Sequence, residues 1–124
     1  MKKTDLIVSS IYTNKYYVSD EFKDLPDEIL EMLKNECIIM CQKTKGIFSI
    51  GFYEDGSVFL EVSAEEDDPD HDEELARQEV EFFKKEKIKL LSSLRSWYLL
   101  YRTENGKKLK EDIINNIEDN NENR

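Results

Sequence analysis

Carboxylates recur at the spacing of a calcium-binding loop in the middle of the chain. Counted from Asp68, positions 1, 3, 5 and 12 hold Asp68, Asp70, Asp72 and Glu79. An EF-hand loop takes calcium ligands from these positions, because their oxygens converge on one ion when a glycine at position 6 allows a sharp turn. Here position 6 is Glu73 and position 2 is Pro69, so the turn that such a site requires is missing.

The same acidic residues allow two simpler interpretations. Apolar residues recur at helical spacing from Leu75 onward, so Glu79 also fits the solvated face of a helix. The sequence leaves three alternatives open: a calcium site at the four carboxylates, weak nonspecific attraction of cations, and a solvated acidic loop that begins a helix. The helical spacing favours the third, since it accounts for Glu79 without a metal.

Other side chains that could bind a metal or act in catalysis do not form a recognisable pattern. Cys37 and Cys41 lie four residues apart in a helical stretch and could join His71 at a zinc ion, but no fourth ligand and no paired spacing accompany them. Buried thiols are the simpler interpretation. The sequence has neither a glycine-rich phosphate loop nor a nucleophile paired with a base. We therefore predict no catalytic residues, no cofactor and no enzymatic activity.

Acidity is concentrated in one stretch, residues 64–81, which we call the acidic block. The chain has a net charge of -10, and this block, with ten acidic residues and one arginine, carries -9 of it. The following stretch, residues 82–104, carries +4, but its lysines are interleaved with acids. Such a charge distribution repels DNA and membrane surfaces and attracts cationic partners. We expect a protein partner with a basic surface, and no direct binding to nucleic acid or membrane.

Two sets of residues are candidate contact surfaces. The acidic set is Glu65, Glu66, Asp67, Asp68, Asp70 and Asp72. The aromatic set is Trp97, Tyr98 and Tyr101, in a segment that is apolar on all sides and is therefore either centrally buried or a contact surface. If this segment is exposed, it makes a homodimer plausible.

Residues 46–63 predict the β-hairpin on which the fold depends. Two apolar alternations flank a turn at Glu54, Asp55 and Gly56. A three-residue turn with Gly56 in the left-handed conformation pairs Phe52 with Val58, Ile50 with Leu60 and Phe48 with Val62, so that all six share one face. A two-stranded hairpin is only marginally stable, so helices must cover that face.

The remaining elements predict an α+β domain. Leu25-Pro26-Asp27 begins a helix that runs to about Thr44, and the apolar spacing predicts one long helix from about Asp72 to Thr103 that packs on the sheet face. The N-terminal residues could add a third strand at the edge of the sheet or form an extended arm across it. Asn105-Gly106 should stop the long helix, which places a single domain at residues 1–104. Residues 105–124 are then an amphipathic appendage that ends in a disordered acidic and asparagine-rich tail from Glu118.

The order of these features resembles a family of small, uncharacterised clostridial proteins of unknown function. The likeness covers about residues 11–102 and rests on Lys15-Tyr16-Tyr17, the Phe22 to Leu30 helix entry, Gly46-Ile47, the Glu54-Asp55-Gly56 turn, Ala64 to Asp68, and Tyr98 to Tyr101. The resemblance implies a cytosolic bacterial protein without an established activity and transfers no catalytic residue. The tail from Asn105 onward departs from the family.

These observations predict a non-enzymatic acidic protein-interaction module. One alternative is an inhibitor, of the immunity or anti-CRISPR type, that blocks the basic site of a nucleic-acid-handling protein. Another is a divalent-cation-binding protein that uses residues 65–79. No run approaches the roughly 18 apolar residues of a membrane span and the N-terminus lacks a signal-peptide core, so we expect a cytoplasmic location.

Overall fold

The computed structural model describes residues 1–122, with side chains described as far as Asn115. It is an α+β structure with a four-stranded antiparallel sheet and four α-helices in these residues. The strands are β1 (Lys3–Ser10), β2 (Lys15–Val18), β3 (Ile47–Tyr53) and β4 (Val58–Ser63), in the sheet order β2-β1-β3-β4. The helices are α1 (Asp27–Thr44), α2 (Glu73–Glu86), α3 (Ile88–Tyr101) and α4 (Glu104–Glu122).

Strands β3 and β4 pair in the register that a three-residue turn predicts. Phe52 lies opposite Val58, Ile50 opposite Leu60 and Phe48 opposite Val62. Gly56 has a φ of 85°, a left-handed conformation that glycine adopts without steric cost. The turn closes because the Gly56 amide donates to the Tyr53 carbonyl at 2.9 Å.

The N-terminal segment contributes two strands, and the first of them lies inside the sheet. Strand β1 pairs with β3 on one side and with β2 on the other, so it is neither an edge strand nor an arm. Asn14, at a φ of 54°, allows the chain to reverse between β1 and β2, since asparagine tolerates the left-handed region. A bulge between Asp5 and Ile7 lets the neighbours Leu6 and Ile7 both be fully buried.

The core lies on one face of the sheet, under α1 and α2. The β3 residues Phe48, Ile50 and Phe52 are at most 1% exposed, whereas their partners on β4 are half-buried because β4 is the edge strand. The Phe83 ring of α2 lies 5.7 Å from the Phe48 ring. This core is completed by the buried residues of α1, Leu33, Cys37, Met40, Cys41 and Thr44.

The single long helix expected from Asp72 to Thr103 is wrong. Helix α2 ends at Glu86, and Lys87 leaves the helical conformation with φ -106° and ψ 27° before α3 begins at Ile88. Lys87 interrupts the apolar spacing after Phe83, and its ammonium instead pairs with the Glu36 carboxylate of α1 at 3.0 Å. The helix packed on the sheet is therefore α2, which has less than half the expected length.

The described chain forms two compact units, residues 1–88 and the residues from 89 onward. The first contains the sheet with α1 and α2, and the second contains α3 and α4. Compactness does not test whether residues 1–104 fold independently, so the domain boundary expected at residue 104 stays a prediction.

The sequence predicts that Asn105-Gly106 ends a helix, but in the structure these residues lie in the first turn of α4. Helix α3 stops at Tyr101, and the Thr103 hydroxyl accepts a hydrogen bond from the Gly106 amide at 3.0 Å, as an N-cap of α4 does. The tail predicted to be disordered from Glu118 continues α4 as far as Glu122, because each residue added to an existing helix adds one backbone hydrogen bond. The last two tail residues lie outside the described part of the chain.

Candidate functional site

The acidic block divides into a loop and the beginning of α2. Residues 64–72 form the loop, and the Asp72 carboxylate caps α2 by accepting a hydrogen bond from the Leu75 amide at 3.0 Å. Glu73 and Glu74 follow in the first turn, where the helix dipole favours negative charge. Within the loop, the Asp68 carboxylate accepts a hydrogen bond from the Asp70 amide at 3.0 Å. The observed conformation is therefore the third alternative that the sequence left open, an acidic loop that leads into a helix.

Tyr12, which follows β1, fixes this loop in place. Its hydroxyl donates to Asp68 Oδ2 at 2.6 Å and accepts a hydrogen bond from the Glu65 amide at 3.3 Å. The hydrogen bond with Tyr12 holds the pKa of the Asp68 carboxyl below its ordinary value, and it raises the pKa of the Tyr12 hydroxyl. No sequence signal links these residues, which are 56 positions apart.

A cleft of about 540 Å³ opens between the end of β4 and the start of α2, and we call it the acidic cleft. The residues that line it are Val62, Ser63, Ala64, Glu65, Glu66, Asp68, His71, Glu73, Ala76 and Arg77. Its lining thus includes four carboxylates and one guanidinium. Glu74 holds that guanidinium, since both carboxylate oxygens accept from one Arg77 nitrogen, at 2.6 and 2.7 Å.

The acidic cleft contains only part of the acidic set predicted from sequence. Glu65, Glu66 and Asp68 line it, whereas Asp67, Asp70 and Asp72 do not. Glu73 joins the cleft although the sequence did not single it out as a contact residue. Glu73 could have been predicted as a cleft residue from its position in the first turn of α2, directly after the loop.

His71 packs beside Gly46 at the inner end of the loop. A Cβ on Gly46 would lie 3.2 Å from His71 Cε1 and 2.6 Å from the Ser63 carbonyl oxygen, so the glycine makes room for this contact. The His71 Nδ1 atom is buried without a hydrogen-bond partner among the described residues. Sequence placed His71 in a polar loop and gave no indication of this packing.

The metal candidates do not come together in the structure. Among the side chains that the structure describes, no group of three or more histidine, cysteine, aspartate or glutamate residues is placed to hold a metal ion. The carboxylates of Asp68 and Asp72 accept hydrogen bonds from backbone amides, and Glu79 lies farther along α2. The calcium-like spacing is therefore explained by a loop followed by a helix.

Cys37 and Cys41 are buried thiols on the core side of α1. Cys41 Sγ lies 3.2 Å from Ser9 Oγ and donates to the Ile38 carbonyl at 3.2 Å. Burial strongly raises the pKa of the Cys37 thiol. A neutral thiol is a poor nucleophile and a poor metal ligand, which supports a structural interpretation of Cys37. Cys41 is buried as well, and its contacts with Ser9 and Ile38 support the same interpretation.

The aromatic set lies in α3, where cationic side chains pack on two of its rings. The rings of Trp97 and Tyr101 are 5.9 Å apart. The Arg102 guanidinium lies 4.7 Å from the centre of the Trp97 ring, and the Lys110 ammonium lies 4.4 Å from that of Tyr101. Tyr98 is half-buried. Cation–π contacts thus occupy part of the Trp97 and Tyr101 rings, while Tyr101 is still 41% exposed. The contact role of this set stays a prediction.

Replacing Tyr12 by phenylalanine should raise the pKa of Asp68 toward its ordinary value of about 3.9, because the largest cause of the depression is removed. A carboxyl whose pKa is depressed by folding stabilises the protein above its unfolded pKa, and this stabilisation is lost as pH falls through the folded pKa. The stability difference between wild type and Tyr12→Phe should therefore be full at pH 7 and shrink in acid. Carboxyl ¹³C NMR titration and urea unfolding measure the two effects.

Tyr17→Phe is the matched control, since Tyr17 is 60% exposed on strand β2. Its Asp68 titration should match that of wild type. If Tyr12→Phe also left the Asp68 titration unchanged, the hydrogen bond would not hold the loop in solution.

Comparison with known proteins identifies the family. No helix in the described residues is long and apolar enough to cross a membrane. No curated protein and no solved structure matches the chain. One family model, Family of unknown function (DUF6145), matches residues 3–106, which is most of the chain and includes the sheet, the acidic cleft and α3. The chain therefore belongs to this family of unknown function.

Proposed function

We propose that this protein is a non-enzymatic interaction module that binds a basic protein partner in the acidic cleft. The observation that carries the proposal is the convergence of Glu65, Glu66, Asp68 and Glu73 on one concave surface. The single guanidinium in the lining is held by Glu74, so it does not neutralise the cleft carboxylates. A lysine or arginine side chain of a partner fits such a site.

The size and the charge of the acidic cleft suit this role. Its volume of about 540 Å³ lies in the range of ordinary ligand pockets, about 300–1,000 Å³. Arginine binds carboxylates through two parallel hydrogen bonds, and charged hydrogen bonds are roughly twice as strong as neutral ones. The -9 charge of residues 64–81 should also speed association with a basic partner.

Hydrogen bonds within the chain hold the acidic loop. Tyr12 bonds to both Asp68 and Glu65, and Asp72 caps α2. A preorganised loop loses little conformational entropy on binding, which leaves more of the contact energy for affinity.

The alternatives have less support from the geometry. An inhibitor that imitates nucleic acid would need carboxylates in a regular ladder spaced like phosphates, whereas these acids lie on an irregular loop and the first turn of a helix. A divalent-cation binder would need oxygens free to converge, and two of the four candidate carboxylates accept backbone hydrogen bonds. The bacterial cytosol, the clostridial origin and a homodimer through Trp97 stay predictions.

The test is affinity capture from the organism that encodes the chain, with three baits. The first is wild type, and the second carries Glu65→Gln, Glu66→Gln and Glu73→Gln, which remove three cleft charges without touching the Tyr12 contact or the Asp72 cap. The third is a matched control with Asp5→Asn, Asp27→Asn and Glu28→Gln, three exposed acids outside the cleft lining.

Wild type and the control should recover the same basic protein, and the cleft variant should recover at least about tenfold less of it, since each 1.4 kcal/mol of lost binding is tenfold in affinity. Equal recovery by all three baits would contradict the proposal.

A further inference from the structure

We propose that the basic partner binds as an extended strand along the open edge of β4, antiparallel to it, with lysine or arginine at its N-terminal end in the acidic cleft. This inference rests on the proposed function and names the form of the partner. Strand β4 pairs with β3 on one side, and no strand in the described residues pairs with its other side. An open edge strand can bind another chain, because its outer backbone groups are available for a further ladder of hydrogen bonds.

The β3–β4 turn shows which backbone groups of β4 face the open edge. The Tyr53 amide donates to the Ser57 carbonyl at 2.9 Å, so these two residues form a hydrogen-bonded pair. In an antiparallel ladder such pairs alternate with pairs that exchange no hydrogen bond. Every second residue of β4 therefore directs its N–H and C=O groups outward. These residues are Val58, Leu60 and Val62.

The two edges of the sheet differ in their protection against another chain. Strand β2, the other edge, has four residues and begins with Lys15, and both short length and lysine hinder edge pairing. Strand β4 has six residues and no proline. Its one charged residue, Glu61, pairs with Lys3 of β1 at 3.0 Å. The features that protect β2 are therefore missing from β4.

The acidic cleft lies at one end of this edge and indicates the charge of the partner. Val62 directs its backbone groups at the open edge and also lines the cleft, and so do the next residues, Ser63 and Ala64, line it. A strand that pairs with β4 therefore reaches the cleft carboxylates at the C-terminal end of β4. Lysine or arginine at that point of the partner complements their charge.

A second copy of this chain fits the edge poorly, because its own acids would meet the cleft. The turn before β4 holds Glu54 and Asp55. If two β4 strands paired antiparallel about Leu60, the turn of each copy would lie near residues 64–66 of the other, which include two glutamates. Like charges would then oppose each other at both ends of the interface. The charges favour a basic segment over a second copy.

These features define the sequence of the partner segment. Val58, Leu60 and Val62 have half-buried side chains on the core face, so apolar residues at every second position of the segment would pack beside them. An antiparallel segment has its N-terminal end at the cleft, because β4 runs toward the cleft. Basic residues thus precede the alternating apolar residues.

The test is a titration of the full chain with the synthetic peptide Arg-Lys-Arg-Val-Thr-Val-Thr-Val, followed by calorimetry and by NMR amide exchange. The peptide should slow the exchange of the outward amides of Val58, Leu60 and Val62. The amides of Phe59 and Glu61 should exchange slowly with or without it, because they already bond to β3.

The matched control is the same peptide with methyl groups on the backbone nitrogens of its valines, which keeps the charge and removes the hydrogen-bond donors that face β4. It should bind at least about tenfold more weakly. Failure of the unmodified peptide to bind would overturn the inference. So would a bound peptide that leaves the exchange of the outward amides unchanged.

The cleft variant with Glu65→Gln, Glu66→Gln and Glu73→Gln separates this inference from the proposed function. It should also bind the unmodified peptide at least about tenfold more weakly than wild type. If the cleft variant weakens binding but methylation does not, the cleft binds the basic residues and strand pairing is overturned. If methylation weakens binding but the cleft variant does not, β4 pairs with the segment and the proposed function is contradicted.

Discussion

Replacing Phe48 by alanine is expected to lower the free energy of unfolding by about 3–5 kcal/mol, the usual range for a buried phenylalanine. Phe48 is fully buried on β3, which lies between β1 and β4 in the sheet. Its ring packs 5.7 Å from the Phe83 ring, so alanine would leave a cavity between the sheet and α2. Urea denaturation followed by circular dichroism measures the loss.

Phe82→Ala is the matched control, because Phe82 is the neighbour of Phe83 on α2 but is 54% exposed. Surface substitutions usually change stability by no more than about 0.5 kcal/mol. Folded domains are stable by only about 5–15 kcal/mol, so a loss of this size takes up much of the stability of the domain. Phe48→Leu provides a milder variant with a smaller loss. Equal effects of Phe48→Ala and Phe82→Ala would show that the sheet face is not the core.

Replacing Gly51 by alanine is expected to lower the free energy of unfolding by about 3 kcal/mol, the upper part of the range for overpacked sites. A Cβ at this position would collide with the Thr4 carbonyl oxygen of β1 and lie 2.5 Å from an atom of the Phe59 ring. The ring can move, but the carbonyl belongs to a paired strand and cannot. Gly51 lies on the sheet face opposite the main core, where the Phe59 ring covers it. The centre of the Phe59 ring lies 5.5 Å from that of the Tyr53 ring.

Ser49→Ala is the matched control for Gly51→Ala, since Ser49 is half-buried two residues earlier on the same strand face. It should change the free energy of unfolding by no more than about 0.5 kcal/mol. The loss from Gly51→Ala should also be smaller in a Phe59→Ala background, because part of the collision disappears. Equal losses in the two backgrounds would show that the Phe59 ring does not enforce glycine.

The parts of the fold that follow from local pattern could be predicted from sequence. The β3–β4 register is determined by the alternation around Ile50 and Leu60 together with a glycine that allows the left-handed turn. Helix α1 is bounded by Pro26 and by Lys45, which takes a left-handed conformation at its end. Both features depend on residues that are close in sequence.

The parts that depend on distant residues could not be predicted. Strand β1 lies inside the sheet because it pairs with β3, from Ser10 opposite Ile47 to Lys3 opposite Tyr53, and local β-propensity does not specify so distant a partner. The helix breaks at Lys87, whose ammonium pairs with Glu36 of another helix, although the apolar spacing resumes beyond it at Leu90. Local spacing therefore predicted one helix where two exist.

The candidate site also has parts that follow from local sequence and parts that depend on distant residues. The acidic loop and the start of α2 are local, so composition and helix-start signals predicted them. The contact of Tyr12 with Asp68 and the packing of His71 beside Gly46 join residues that only the folded sheet brings together. Consequently the sequence identified the charges, and the structure showed which of them share the acidic cleft.

Amide hydrogen exchange with and without the captured basic partner tests the role of the acidic cleft most directly. Bound partner should slow exchange in residues 62–77, which include all the cleft-lining residues, and leave the exposed edge strand β2 unchanged. Protection confined to other segments, with residues 62–77 exchanging as in the free protein, would contradict the account.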